Sequence, residues 1–187
     1  MTSIAARPFS GTYRAQPVPS TFAFGVRHSG VFWFRGTFSG VVATLHGELD
    51  EPVLEGSARV DSISVLEPDA LRAHLLGPEF FDAEQHPEIL FRSTAVRLAE
   101  DGHAEVDGEL TIRGVTRPIS AVGAYAPPRQ ASFGEVAGIE LHTSLDRREF
   151  GFHWQLELPG GGVAVSWEVE IDIDLLLIRD AQVESTI

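Results

Sequence analysis

Residues 163–178 read VAVSWEVEIDIDLLLI, and no other stretch restricts the possible folds as much. Val163, Val165, Trp167, Val169, Ile171, Ile173, Leu175 and Leu177 occupy alternate positions. Ala164, Ser166, Glu168, Glu170, Asp172 and Asp174 occupy the positions between them. Side chains on a strand point alternately to opposite faces, so the spacing predicts one dry face and one wet face. A helix would scatter the four acids around its axis. At about 3.3 Å per residue the run reaches roughly 50 Å, far beyond a strand of about 5–6 residues. Such length fits the wall of a coiled barrel or a strongly bent sheet. Its apolar face is either packed by the protein itself or open to a guest.

The rest of the chain supplies partners for this wall. Strands are predicted over 11–14, 21–27, 31–38, 41–49, 54–65, 89–98, 103–113, 117–125 and 135–147. Val41, Ala43, Leu45 and Leu49 alternate after a bulge signal at Ser39-Gly40. Ala104, Val106, Leu110 and Ile112 form one apolar face, and Ala137, Ile139, Leu141 and Leu145 another. Pro127-Pro128 through Gly134 reads as a loop. One helix is predicted over about 67–77, with Pro68 in its first turn and Gly77-Pro78 as its stop. About eight antiparallel strands with one helical insertion favour a closed barrel, which removes exposed sheet edges. No repeat or long linker divides the 187 residues, so one domain is expected over 1–187, with its core at about 11–179.

Composition narrows the function. A formal net charge of −13 argues against nucleic acid and against adsorption to an anionic membrane. No apolar run approaches the roughly 20 residues of a membrane-spanning helix. The N-terminal MTSIAARPFSGTYRAQP lacks a continuous apolar segment of the signal-peptide kind, so a cytoplasmic location is expected. With no cysteine, disulfides and thiolate chemistry are excluded. Every basic residue is Arg, so neither a Schiff-base lysine nor a P-loop lysine can exist. Lys and Asn codons are AT-rich, and both residues are absent, which points to a GC-rich bacterial genome.

Catalytic patterns are missing. The seven His residues are dispersed, and no HExxH or GxSxG motif occurs. Asp82, Glu84 and His86 have chelating spacing, but the adjoining Pro87 and helix end point to a solvated loop. No metal, cofactor or catalytic set is called for. The aromatic residues are more informative. Phe22, Phe24, Phe32, Phe34, Phe80, Phe81, Phe152 and Trp154 cluster near strand starts and loops, where they either pack a core or line an apolar lumen. Arg27, His28, Arg113 and Arg117 fall at strand ends, where a barrel mouth would lie. Guanidinium groups suit a carboxylate or phosphate there.

Four segments carry a resemblance. FGVRHSGVFWFRGTFSGV, HLLGPEFFDAEQHPEILFRST, GELTIRGVTRPI and LDRREFGFHW resemble, in order, motifs of the YceI-like family of polyisoprenoid-binding proteins. The resemblance implies an all-β, antiparallel, eight-stranded, extended lipocalin-like barrel. It also implies a hydrophobic tunnel for a long isoprenoid, quinone-type or fatty chain, and a homodimer. On that basis the expected lumen residues are Phe32, Phe34, Phe91, Leu110, Ile112, Leu141, Trp167, Val169 and Ile171. Arg27, His28, Arg113 or Arg117 would hold a head group. The expected function is non-enzymatic binding, transport or storage of an apolar lipid. An enzyme acting on a bound isoprenoid through His28 or His86 is one alternative, and a barrel filled by its own side chains is the other.

Overall fold

The structure, a computed structural model, describes residues 8–49 and 51–180. Ten strand segments are joined in one sheet: β1 (Thr12–Ala15), β2 (Thr21–His28), β3 (Phe32–Phe38), β4 (Val41–His46), β5 (Val53–Arg59), β6 (Glu88–Leu98), β7 (His103–Ile112), β8 (Val115–Ala131), β9 (Gly134–Asp146) and β10 (Val165–Arg179). A single α-helix, α1 (Asp69–Leu76), is inserted between β5 and β6.

The ten segments make eight staves. One edge of β10 pairs with β9 from Glu168 opposite Asp146 to Ile178 opposite Val136. Its other edge is shared: β2 takes Val165 to Asp174, and β1 takes Leu177 to Arg179. Thus β1 and β2 are halves of one interrupted stave, and β3 and β4 are halves of the next. Closure of β1 on β10 completes an antiparallel eight-stranded barrel, as the alternation of the strands predicts.

Both interruptions have local causes. Pro17 and Pro19 have no N–H to give to β10, so the chain bows outward between β1 and β2. Buried Ser20 covers the gap, its hydroxyl accepting from the Leu176 N–H at 3.1 Å. At the bulge signal Ser39-Gly40, the Gly40 N–H donates to Ser62 Oγ at 2.9 Å. That bond replaces the ladder bond lost where β3 passes into β4.

Inward alternation holds along most staves. Val41, Ala43 and Leu45 are buried, as are Ala104, Val106, Leu110 and Ile112, and Ala137, Ile139 and Leu141. Four details differ from the sequence expectation. The strand starting near Leu54 stops at Arg59 and passes into a 3₁₀ turn at Val60–Ser62. Leu49 lies beyond β4 and is exposed. Pro127 and Pro128 belong to β8 rather than to a loop. They are accommodated because β7 pairing ends at Ala124 and the β9 register shifts between Ala126 and Arg129, so neither imide nitrogen is asked for a hydrogen bond. Finally, Ala164 is buried and Val163 exposed, the reverse of the predicted faces. Gly160, Gly161 and Gly162 all have positive φ, and the turn they form ends before the regular strand begins at Val165.

Candidate functional site

Among the described residues, two apolar compartments lie along the barrel. The larger, about 350 Å³, lies toward the end where β2, β3, α1 and the 151–164 segment meet. The smaller, about 80 Å³, lies between β4, β5, β7 and β9. Phe22, Ile89 and Ile171 border both, so these three side chains stand at the neck, the boundary that the two share.

The larger, upper compartment is built from both strands and insertion, and the smaller is the lower one. Phe24 and Phe34 come from the β2–β3 hairpin and Val169 and Ile171 from β10. Leu71, His74 and Leu75 come from α1, which turns this face toward the lumen by the i, i+3, i+4 spacing of a helix. Behind α1, Phe80 and Phe81 cross to Phe152 with ring centroids 6.1 and 5.2 Å apart, closing that side. The aromatic loops of the sequence thus form a cap over one end of the barrel.

The nine predicted lumen residues divide between the compartments. Phe32, Phe34, Ile112 and Val169 border the upper one, Ile171 the neck, and Phe91, Leu110 and Leu141 the lower one. Trp167 borders neither, which corrects the reading of β10 as one continuous dry face. The pairing of β10 with β2 shifts register between Val165 and Val169, and Ser166 Oγ bonds the Glu168 carbonyl at 2.7 Å within that bulge. The Trp167 ring instead stacks under the Arg147 guanidinium, 4.4 Å from its centroid.

The four predicted head-group residues do not converge. His28 borders the upper compartment and stacks on Phe32 at 5.0 Å. Arg27, the neighbouring residue on the opposite strand face, is exposed and lies over Trp33. Arg117 is exposed and bonds only the Thr116 carbonyl. Arg113 sits with Gly114 in a two-residue hairpin, both at positive φ. Its guanidinium donates to the carbonyls of Gly151 and Pro78, each at 2.9 Å, and so fastens two cap segments together.

Two polar residues of the lumen were not singled out by the sequence. Arg147 is 4% exposed and borders the upper compartment. It donates to four carbonyls, those of Ser166, Phe152, Trp154 and Val165. Burial pulls its basicity below the ordinary value. The adjacent Asp146 is engaged by Arg148, whose hydrogen bonds hold that carboxyl below the usual carboxylate range. His74 also borders this compartment, wedged between Phe80 and Trp154 at 4.9 Å from each ring. No local signal marks Arg147, which stands in the charged run Asp146-Arg147-Arg148-Glu149, just before Phe150, Phe152 and Trp154.

Among the described residues, no group of three or more His, Asp or Glu is placed to hold a metal ion. His86 lies outside both compartments, its ring against Gly114.

A family description for a YceI-like domain matches residues 13–177. The chain belongs to the YceI-like family. It is 28% identical over 153 residues to a UPF0312 protein of Pseudomonas putida strain W619, spanning 80% of this chain and 76% of that protein. Among solved structures, the YceI-like barrel superposes on Burkholderia cenocepacia BcnA with a TM-score of 0.69, 19% identity, and coverage of 87% and 98% of the two chains. A polyisoprenoid binding domain from Saccharophagus degradans, implicated in plant cell wall breakdown, gives a TM-score of 0.63 at 11% identity, covering 90% and 98%. At these identities the superpositions establish the fold. No helix among the described residues is long and apolar enough to cross a membrane.

Proposed function

We propose that this protein is a non-enzymatic binder of one long apolar lipid chain, which it carries or stores in the barrel lumen. The observation that supports this reading best is the upper compartment itself. Its 350 Å³ falls within the roughly 300–1,000 Å³ of small-molecule pockets. Nearly all of its border is aromatic or aliphatic, and a second apolar compartment lies on the other side of Phe22, Ile89 and Ile171. Burial of a tail against such walls contributes roughly 25 cal/mol per Å² before ordering costs. The polyisoprenoid binding named for the Saccharophagus domain makes an isoprenoid, quinone-type or fatty chain the class to test. By family resemblance the proposed form is a homodimer; a cytoplasmic location is proposed on the chain's own sequence, not on the family.

The test is organic extraction of freshly purified protein, followed by mass spectrometry. A stoichiometric long-chain lipid is expected. Protein stripped of that lipid should take up a polyprenyl lipid and return it with unchanged mass. A chemically altered product would identify an enzyme instead, and a lumen that stays empty in both experiments would refute lipid binding.

A further inference from the structure

The turn between β2 and β3 puts apolar side chains into solvent. Val31 is 76% exposed and Phe32 49%. Phe32 also borders the upper compartment, so this turn stands between the lumen and solvent. A second turn lies against it. The Ala164 carbonyl accepts from the Ser29 N–H at 2.7 Å, and the Ala164 N–H donates to the Leu156 carbonyl at 2.9 Å. Leu156 is exposed as well. Single exposed apolar side chains are ordinary, but three gathered at one mouth mark a contact surface.

The charge around this turn is opposite to that of the protein. All 27 acidic residues lie from Glu48 onward, so residues 1–47 contain Arg but no Asp or Glu. Exposed Arg27 and Arg35 flank Trp33, their guanidinium carbons 4.4 and 5.3 Å from its ring. The ring in turn lies across Gly25, where a β-carbon would touch it at 3.4 Å. Among the described residues the ion pairs of arginine use Arg14, Arg59, Arg92, Arg97, Arg148 and Arg179, which leaves Arg27 and Arg35 without a counter-charge. Exposed Glu157 and Glu168, on the adjoining segments, pair with neither. The other acids of β10 recede from the turn: Glu170, Asp172 and Asp174 stand beside Gly25, Ala23 and Thr21.

We infer that the β2–β3 turn is a docking surface for an anionic phospholipid bilayer. Val31, Phe32 and Leu156 enter the interface, Trp33 sits at head-group depth, and Arg27 and Arg35 meet the phosphates. The inference rests on the lipid-binding reading above for its purpose, since docking brings the mouth of the lumen to the phase that holds lipid chains. Tryptophan favours the interface, and arginine can bury its apolar stem there while its charged head stays in the polar layer. A convex turn offers no groove to a peptide, whereas a bilayer yields around it. The net charge of −13 repels an anionic surface from the molecule as a whole, so the contact is made turn first. Salt screens exposed charges beyond about 8 Å, which weakens the repulsion from the distant staves.

The experiment is flotation of the full chain with vesicles of phosphatidylcholine alone or mixed with phosphatidylglycerol. Uptake and displacement of a fluorescent fatty probe are measured beside it in vesicle-free buffer. Wild-type protein should float with the anionic vesicles, and several-fold less with the zwitterionic ones or at high salt. Arg27→Gln with Arg35→Gln should weaken binding to anionic vesicles roughly thirtyfold, the effect of two arginines at such a surface. Val31→Asp should abolish flotation. Val122→Asp adds the same charge at an exposed valine of β8 and should float like the wild type. All variants should take up the probe normally, because none of these residues borders a compartment. Docking is overturned if the wild type does not float, if it floats equally with both vesicle types, if Val31→Asp still floats, or if Val122→Asp fails equally; normal probe uptake would then leave the lipid reading standing. Flotation as expected without probe uptake in any protein would overturn the lipid reading and uphold the docking surface.

Discussion

The ring of Phe24 lies across Gly36, with its Cζ 2.5 Å from where a β-carbon on residue 36 would stand. The two are paired on β2 and β3, and Phe24 borders the upper compartment. Glycine at 36 is therefore what lets the ring lie flat against the wall. Gly36→Ala should push Phe24 into the lumen, weaken displacement-assay binding severalfold and lower stability by about 1–3 kcal/mol, the usual range for overpacking. Phe24→Ala in the same chain should restore ligand uptake.

Gly123 and Gly138 make a contrasting pair on β8 and β9. A β-carbon at 123 would overlap the Glu140 carbonyl oxygen, whereas one at 138 would meet only Ala126 Cβ at 3.7 Å. Backbone cannot retreat without breaking the ladder. Gly123→Ala should lower the melting temperature sharply, with a loss of at least about 1–3 kcal/mol. Gly138→Ala should be neutral, or stabilising by roughly 0.4–1 kcal/mol through reduced freedom of the unfolded chain.

Tyr13 is fully buried, and its hydroxyl donates to the Glu135 carboxylate. Burial, the bond to Glu135 and the charge of Glu135 push its pKa up to about 12. A raised pKa means that the folded state favours the neutral phenol. That contribution to stability is complete below pH 10, the ordinary value, and is lost as the pH climbs from 10 toward 12. Tyr125, the other tyrosine of the chain, is also raised, chiefly by burial. Phenolate absorbance at native pH 10 should stay well below half of the two-tyrosine total, and Tyr13→Phe should flatten the stability loss over that window. A normal titration midpoint for both tyrosines would contradict this.

Arg113 holds the Gly151 and Pro78 carbonyls together. Because its φ is 52°, Arg113→Gly keeps the hairpin turn while removing the clamp. The variant should release bound lipid several-fold faster in a stopped-flow exchange assay, with the preference among head groups unchanged. A changed preference would instead return Arg113 to head-group contact.

The barrel could be foreseen because period-two alternation survives averaging over neighbours. Val41, Ala43 and Leu45, or Ala137, Ile139 and Leu141, declare their buried face in any reading. Irregularities do not declare themselves this way. Trp167 shares the parity of Val169, yet one shifted register between Val165 and Val169 takes it out of the lumen. Pro127 and Pro128 announce a break, yet the sheet offers them positions where no donor is needed. The buried settings of Arg147 and His74 were harder still. Arg147 is defined by carbonyls up to 19 positions away, and His74 by rings from two other segments. Such surroundings are assembled only by folding, and no local spacing encodes them.

The strand that anchors this architecture follows all of its partners along the chain. β10 is the shared partner of β9, β2 and β1, and its pairs with β2 and β1 together seal the wall. While the chain is emerging, the aromatic faces of β2 and β3 have no neighbour on that side. The nascent protein must therefore carry an exposed, greasy flap until some 160 residues are complete. Its dependence on chaperones should peak just before β10 emerges.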